Sequence, residues 1–419
     1  MKRPLLSIVV MGSLVILLAV CNCAPPLTRA SLPPAPAPPH PATLPARLPD
    51  RVDVVLDRGV GSVDSITFTD GTSARHTATS SSSGISVDGI TYSDSVKIHG
   101  PVQIGDARHN GDIVFERSGL DDRLRAVASL PLDEYIAGVL SAELSLWSAE
   151  PHELRALAVA ARTFAVRTLL TRGSGSRLTD GILDQAYRGT YVPPPGSEKG
   201  RAVRARLDEA VADTRGLVLA RGALLDDVRY HASCGGHTAD LVEVFADEPD
   251  IRIGSIGAIC EPCKRRALAE ITARAHDPRR PLGWLVQLTP ADLARVASAA
   301  DVTPPLRRLG PARRDASGRW IRARVLGSDG TAKEISMNEL RSALGFKLLP
   351  GTRIIALRPD TDQDIGAEGI MIEGRGRGHG VGLCQESLRD YAHEGWSYEE
   401  LLAHYLPGSR LVRLEGPEH

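Results

Sequence analysis

Two consecutive segments carry hydrophobic residues at helical spacing. The first apolar stripe consists of Leu132, Ile136, Val139 and Leu140. Glu143 falls on the same stripe, three and four positions after its last members. A second stripe, rich in alanine, runs through residues 154–165 and predicts a helix that packs closely against its neighbours. The pattern therefore predicts a helix from Leu132 and another beginning near Pro151, capped by Ser148 or Glu150.

Elsewhere the pattern alternates between short β-prone runs and further helical segments. Residues 51–128 contain such runs separated by Asp-Gly, Ser-Gly and Asn-Gly pairs, which predict a small antiparallel β region without chemistry of its own. Residues 199–213 and 337–344 are predicted to be helical, and residues 320–326 a strand. The predicted fold class is α+β, a mixed helical and antiparallel β body with a small N-terminal β-rich region.

The amino terminus has the pattern of an export sequence. Lys2 and Arg3 precede an apolar run over residues 5–20, so residues 1–23 are expected to be a signal peptide or, given the length of the run, a membrane anchor. Cys21 suggests lipidation, although the preceding Val20 fits that poorly. Residues 24–50 form a Pro/Ala-rich linker. The body is expected in the cell envelope: membrane-tethered, periplasmic or on the outer face of the cytoplasmic membrane.

Composition narrows the class of partner. The chain has 419 residues, enough for one large domain or two ordinary ones, and a formal net charge of −1. Because no global positive field is present, no nucleic-acid partner is predicted.

Glycines alternate with other residues from Gly374 to Gly382. This spacing leaves bare backbone on one face, which suits close approach of a polymer or of another strand. A helix is predicted from about Leu383 to Glu394, and Ser397 with Glu400 forms a predicted capping box for the next one.

Four ordered blocks resemble the stage II sporulation protein D / amidase enhancer (SpoIID/LytB) family. They are YIAGVLSAELS…LRALAVAARTFAV from Tyr135, DQAYRG at 184–189, YHASCGGHTAD at 230–240, and GRGRGHGVGLCQES…LPGSRL at 374–411. The resemblance implies a SpoIID/LytB-like domain at 129–413 with an inserted mixed segment at about 266–359. Two stretches depart from the family pattern. Residues 182–184 stand where the family often has a cysteine, and residues 144–147 stand where it usually has small residues and a proline.

The resemblance implies a peptidoglycan-cleaving enzyme with Glu143 as its acid. An apolar setting keeps a carboxyl group protonated, as a general acid requires. The family implies a lytic transglycosylase that cuts between N-acetylmuramic acid and N-acetylglucosamine with this one glutamate. Glu143 could instead turn to solvent or pair with Arg162. Hydrolysis stays open as well, because it needs a second carboxylate and the blocks offer Asp133, Glu134, Asp184 and Glu386.

Other polar residues of the blocks are candidates for substrate binding. Gln185, Tyr187 and Arg188 could line a sugar cleft with an amide, a phenol and a cation. His379 and Gln385 could orient either the substrate or the acid. A purely structural role is an alternative for Tyr187 and for His379.

The cysteines suggest a metal site. Cys234, Cys260 and Cys263 with one histidine, His237, have spacings compatible with tetrahedral zinc. Such an ion would be structural, because four protein ligands leave no open position. A disulfide or free thiols are the alternatives, and Cys384 is expected to stand alone and buried.

Two other classes of function compete with the enzyme. The family name also implies a non-catalytic wall-binding protein that enhances a separate cell-wall amidase. A zinc-dependent peptidase is a weaker alternative, because the sequence has no His-Glu-x-x-His motif.

Overall fold

The computed structural model describes residues 42–57, 61–118, 123–181, 183–248, 254–271 and 282–415. The predicted signal or anchor and most of the predicted linker lie outside these ranges. Within them, no helix is both long and apolar enough to cross a membrane.

The elements of the first half, in chain order, are β1 (Arg51–Val55), β2 (Ser65–Thr69), β3 (Arg75–Ser81), β4 (Gly84–Val87), β5 (Ile90–Tyr92), β6 (Ser95–Ile98), β7 (Val102–Ile104), β8 (Ala107–His109), β9 (Asp112–Arg117), β10 (Leu124–Pro131), α1 (Leu132–Glu143), α2 (Pro151–Arg172), β11 (Leu178–Thr179) and α3 (Glu198–Asp213). Those of the second half are β12 (Leu217–Arg221), β13 (Leu224–Leu225), β14 (Tyr230–His231), α4 (Leu241–Val244), α5 (Glu261–Ile271), β15 (Gly283–Leu288), α6 (Pro290–Ala300), β16 (Arg308–Arg314), β17 (Trp320–Leu326), β18 (Ala332–Ser336), α7 (Met337–Leu344), β19 (Arg353–Arg358), β20 (Ile370–Arg375), β21 (Leu383–Cys384), α8 (Gln385–His393), α9 (Tyr398–Tyr405) and β22 (Arg410–Arg413).

Strands β1–β11 build two sheets. One has the order β11-β1-β10-β9-β6 and the other β5-β4-β3-β2-β7-β8. All pairs are antiparallel except β1 with β11. Alternate residues such as Ile113 and Phe115 on β9 are fully buried, so one face of the sheet packs on the core. Strand β10 leads directly into the helical part of the structure, because α1 begins at the residue that follows the end of β10.

Helix α2 runs through the middle of the main core. Glu150 and Glu153 form its capping box and Pro151 occupies its first turn, which confirms the predicted start. Its small buried residues, among them Ala158 and Ala161, allow α1, α3, α8, α9 and β12 to pack against it.

Residues 284–372 enclose a second hydrophobic core. It lies between two three-stranded antiparallel sheets, β15-β20-β19 and β16-β17-β18, and the helices α6 and α7. Helix α7 and strand β17 have the predicted bounds, because Ser336 and Glu339 cap the helix and alternate residues of the strand are buried. Helices and mainly antiparallel sheets together confirm the α+β class.

The bare backbone of the glycine segment 376–382 was expected to allow close approach of a polymer or of another strand. Strand β20 ends at Arg375, and Gly376, Gly378, Gly380 and Gly382 all have positive φ. A Cβ at Gly382 would lie 2.0 Å from the carbonyl oxygen of Arg229. The bare backbone therefore admits other segments of this same chain, and the parallel pair β14–β21 forms directly beside it.

Candidate functional site

Glu143 is the last residue of α1. The stripe before it is buried on the core, whereas Glu143 itself is half-buried. Each carboxylate oxygen accepts a hydrogen bond from a neutral donor: the main-chain N–H of Ala186 to Oε1 (3.0 Å) and the side-chain amide of Gln385 to Oε2 (3.1 Å). The carboxyl group therefore lies where the end of α1, the 183–189 loop and the start of α8 meet.

Two tyrosines surround this carboxyl group. Burial, and next the charge of Glu143, raise the pKa of Tyr230 well above its usual 10. Burial, followed by the charge of Asp184, does the same to the pKa of Tyr135, whose hydroxyl donates to Gln185 Oε1 (3.2 Å). Both phenols stay protonated at neutral pH. The single hydroxyl proton of Tyr135 is donated to Gln185, so of the two it is Tyr230 that has an O–H donor for the acid.

Sequence reasoning missed Tyr230 as a site residue. The signal that could have found it is its place at the head of the YHASCGGHTAD block.

Gln385 and His379 were expected to orient either the substrate or the acid; the structure places Gln385 against the acid and His379 against backbone groups. Gln385 contacts the acid directly. His379 accepts a hydrogen bond from Val381 N–H at Nδ1 and donates from Nε2 to the carbonyl oxygen of Tyr230, both at 3.0 Å. Burial, and next the nearby His231, lower the pKa of His379 well below 6.5, so the ring is neutral and holds the backbone of Tyr230 in place.

The residues expected to line a sugar cleft divide into two groups. The side chains of Gln185 and Tyr187 are buried, at 2% and 3% exposure. Tyr187 stacks on Tyr135 with a centroid distance of 5.6 Å, and Gln185 donates to the carbonyl oxygen of Ala161 (3.3 Å). Side chains this buried cannot contact a polymer. Gln185 and Tyr187 therefore pack beneath the residues of the site and support them. The side chain of Arg188 is exposed.

Three of the other candidate carboxylates are engaged in ion pairs. Asp133 pairs with Arg162 (3.1 Å) and Arg215 (3.0 Å), and Glu386 pairs with Arg266 (2.8 Å). The buried side chain of Asp184 pairs with Arg172.

Glu134 is the fourth of these carboxylates, and its Oε2 is buried without a hydrogen-bond partner. The alternative in which Arg162 pairs with Glu143 is replaced by the Arg162–Asp133 pair.

Four cysteines form a buried cluster beside the acid. The sulfurs of Cys234, Cys260, Cys263 and Cys384 all lie within 4.8 Å of one another, and Cys263 and Cys384 are 3.6 Å apart. In a tetrahedral site with metal–sulfur distances of about 2.3 Å, the sulfurs are about 3.8 Å apart. The cluster therefore fits a metal ion, and the four cysteines could hold one.

The structure corrects the prediction of the fourth metal ligand. Cys384 does not stand alone but completes the cluster, whereas His237 Nδ1 lies 2.5 Å from the carbonyl oxygen of Thr238. The N–H of Cys234 donates to Cys384 Sγ and the N–H of Gly236 to Cys234 Sγ, both at 3.3 Å. Such bonds stabilise thiolates. The four cysteines are free, without a disulfide among them.

Comparisons with known proteins point to one family. Residues 120–220 match the family model described as stage II sporulation protein. The chain is 24% identical to the stage II sporulation protein D of Bacillus amyloliquefaciens, over 68% of this chain and 74% of that protein. It is 25% identical to the amidase enhancer of Bacillus subtilis over 66% of this chain but only 40% of that protein. An uncharacterised protein of Brachyspira hyodysenteriae is 26% identical over 70% of this chain and 69% of its own length.

The matched segment contains α1 and its terminal Glu143, α2 and the DQAYRG block, so it holds two of the four blocks that carry the resemblance, while those at 230–240 and 374–411 lie outside it. Over residues 120–220 this chain is therefore similar to the stage II sporulation protein D (SpoIID) family.

Proposed function

We propose that this protein is an exported peptidoglycan lytic transglycosylase that cuts glycan strands between N-acetylmuramic acid and N-acetylglucosamine. The observation that carries the proposal is Glu143, a half-buried carboxyl group held by two neutral donors where three of the family blocks meet. The apolar amino-terminal run and the relatives' names support a place in the cell envelope and a role in cell-wall turnover.

One carboxyl group can carry out both steps of the reaction. Glu143 protonates the glycosidic oxygen while the bond from that oxygen to the anomeric carbon of muramic acid breaks. The resulting carboxylate then accepts the proton of the muramic acid 6-hydroxyl, whose oxygen closes onto the anomeric carbon. Glu143 regains its proton, no water is consumed, and the product carries a 1,6-anhydro ring.

The surroundings of Glu143 suit a group that alternates between these two forms. Half-burial and the partial negative charge at the end of α1 oppose ionisation. The donors Ala186 N–H and Gln385 Nε2 favour the carboxylate. A hydrolase would need a second carboxylate as base or nucleophile. Of the four candidates, Asp133, Asp184 and Glu386 are held in ion pairs, so Glu134 is the one left to test by substitution.

The test is incubation of the purified protein with glycan strands stripped of stem peptides, followed by mass spectrometry of the products. Glu143→Gln keeps the size of the side chain but removes the acid, so cleavage should fall by about 10²–10⁴-fold. Glu134→Gln on the same helix is the matched control and should keep cleaving. Circular dichroism confirms that both variants fold.

The form of the product ends decides between reactions. Anhydromuramyl ends made by the native protein and not by Glu143→Gln support the proposal. Reducing ends mean hydrolysis, and equal cleavage by Glu143→Gln contradicts the assignment of the acid.

A second candidate is a wall-binding protein that enhances a separate amidase. The observation in its favour is the match to the amidase enhancer of Bacillus subtilis over 66% of this chain. Under this alternative the protein sediments with glycan strands, leaves their length unchanged and accelerates a cell-wall amidase added to the same assay.

For the cysteine cluster we propose zinc in a structural role. Four thiolates are the ligand set that zinc prefers, and they leave no coordination position for substrate. The ligands are Cys234, Cys260, Cys263 and Cys384.

A further inference from the structure

The cysteine cluster and the acid are joined through two consecutive residues. Cys384 contributes its sulfur to the cluster, and Gln385 donates its side-chain amide to Glu143. Consecutive Cα atoms are fixed about 3.8 Å apart. A constraint on the Cys384 sulfur therefore also restricts where the Gln385 amide can lie.

We propose that a metal ion bound by the four cysteines acts as a brace that positions Gln385, and through Gln385 the carboxyl group of Glu143. This inference rests on the proposed zinc site and on the proposed acid. It makes Gln385 a positioning residue whose geometry depends on metal occupancy.

Ion pairs of Arg266 with Glu386 and Asp390 join α5 to α8, but the strand pairing between the segments that carry these residues is short. The strand β21, which ends at Cys384, has two residues and pairs only with the two-residue β14. Two-stranded pairing of this length is marginal by itself. Cys234 comes from the loop after β14, while Cys260 precedes α5 and Cys263 lies in its first turn.

An ion would therefore join three separate segments. Binding of zinc to four thiolates constrains the sulfurs far more strongly than contacts between neutral thiols do.

The charges around the cluster fit an anionic metal centre. Zn²⁺ with four thiolates has a net charge of −2. Arg319 is 1% exposed and donates to the carbonyl oxygens of Cys234 (2.7 Å) and His237 (2.9 Å), while its nearest Asp315 oxygen is 4.0 Å away.

A second guanidinium lies on the same side. Arg353 borders the pocket lined by Gly235 and Gly236, and its Nη1 is buried without a hydrogen-bond partner. Burying guanidinium groups is costly unless opposite charge lies nearby; Asp315 supplies one negative charge for these two cations, and a dianionic metal centre beside them would supply more.

The first part of the test measures metal and backbone order. The full-length protein is purified under reducing conditions, its zinc content is determined by mass spectrometry, and zinc is then removed with a chelator. We expect one zinc per chain, loss of it in Cys260→Ser, and retention in the matched control His237→Ala. Substitution with Co²⁺ should give thiolate-to-cobalt charge-transfer absorption.

Hydrogen exchange then tests the brace itself. Removal of zinc, or Cys260→Ser, should speed exchange of the amides of residues 384–388 and of Ala186, which faces Gln385 across the carboxyl group. Zinc removal with unchanged exchange at these amides overturns the proposal, as does a protein that binds no zinc. Neither result depends on whether the protein cleaves glycan.

Kinetics separate positioning from general structural support. Gln385→Ala should bind zinc normally and lower kcat by about 10–100-fold with KM unchanged, as loss of an orienting partner does. The zinc-free native protein should show the same loss, and zinc-free Gln385→Ala no further loss. If zinc removal and Gln385→Ala together lower kcat by the product of their separate factors, the two act independently, and the proposal that the metal acts through Gln385 is contradicted. Absence of cleavage in every sample, with the exchange result as expected, refutes the transglycosylase but leaves the brace standing.

Discussion

At the scale of single residues, the Tyr187–His109 pair is the clearest link between the β region and the segment that matches the SpoIID family. Tyr187 O–H and His109 Nδ1 are 3.3 Å apart, and His109 is 2% exposed. The N–H of Thr190 donates to the carbonyl oxygen of Arg108 beside them. The loop that supplies Ala186 to the acid is therefore held by β8, which lies outside the segment that matches the family.

This pair predicts an acid-sensitive contribution to stability. Burial lowers the pKa of His109 from 6.5 to about 4, so the folded protein keeps the ring neutral where the unfolded chain already takes up a proton. The contribution is complete above about pH 6.5 and is lost as the pH falls from there to about 4. The loss is at most about 3.5 kcal/mol, at roughly 1.4 kcal/mol per pKa unit.

Urea unfolding at pH 7 and pH 4.5, compared between native protein and His109→Asn, measures this contribution. The variant cannot protonate at this position but retains a polar atom near Nδ1. Its stability should fall less over this range than that of the native protein. Equal falls in the two proteins would show that His109 is not the group that titrates.

The role of a single residue could be predicted when the residue lay inside a recognisable sequence block. It could not be predicted when the role depended on a contact with a residue far away in the sequence. Glu143 and Gln385 could be proposed from their motifs. The grouping of Cys384 with Cys234 could not, because 150 positions separate them and their contact exists only after β14 and β21 pair. His237 was the nearer candidate in sequence, and proximity along the chain misled the prediction of the fourth ligand.

At the scale of elements, α2 is held by close packing of small side chains. Ala160 is fully buried in a helix that contacts α1, α3, α8, α9 and β12. Ala160→Leu inserts three carbons into this packing and should lower the free energy of unfolding by about 1–3 kcal/mol.

Guanidinium unfolding measures this effect, with Leu170→Ala as control on the same helix. Leu170 is 44% exposed, and its truncation should change stability by no more than about 0.5 kcal/mol. If Ala160→Leu is as stable as the native protein, the helix interface contains more free space than the structure indicates.

Helices with local capping signals were predictable and the glycine segment was not. The residues that start α7 and α9, Ser336 and Ser397, accept bonds from the third helical residue, so the sequence holds the information locally. From the sequence, the glycines of the segment 376–382 indicate only that these positions carry no side chain. Whether bare backbone meets a polymer, a sheet or its own chain depends on Ser233, Arg229 and Arg319, which approach from other segments.

At the scale of the whole molecule, Arg319 connects the second core to the cysteine loop. It precedes β17, donates to Thr352 Oγ1 (2.9 Å) within the 284–372 region, and reaches the carbonyl oxygens of Cys234 and His237. A Cβ at Gly380 would lie 2.4 Å from its guanidinium carbon, so the glycine segment makes room for it.

Arg319→Met should therefore disturb both regions together. The variant removes a buried cation and its hydrogen bonds, so unfolding free energy should fall by about 3–5 kcal/mol, and zinc should bind more weakly. Urea unfolding and competition with a chromophoric chelator measure the two effects. Arg313→Met, at a half-exposed pair with Glu243, is the control and should stay within about 0.5 kcal/mol. Unchanged zinc affinity in Arg319→Met would argue against its role as countercharge.

The hydrogen bond between Glu143 and Gln385 spans 242 positions of the chain, and this separation has a temporal consequence. Synthesis proceeds from the amino terminus at about 5–20 residues per second, so Gln385 is made roughly 10–50 s after Glu143. Throughout that interval the growing polypeptide carries its carboxyl group without the donor and without Cys384. A nascent chain, or one cut short before Gln385, therefore has no assembled pocket, and completion of α8 sets the earliest moment at which the site exists.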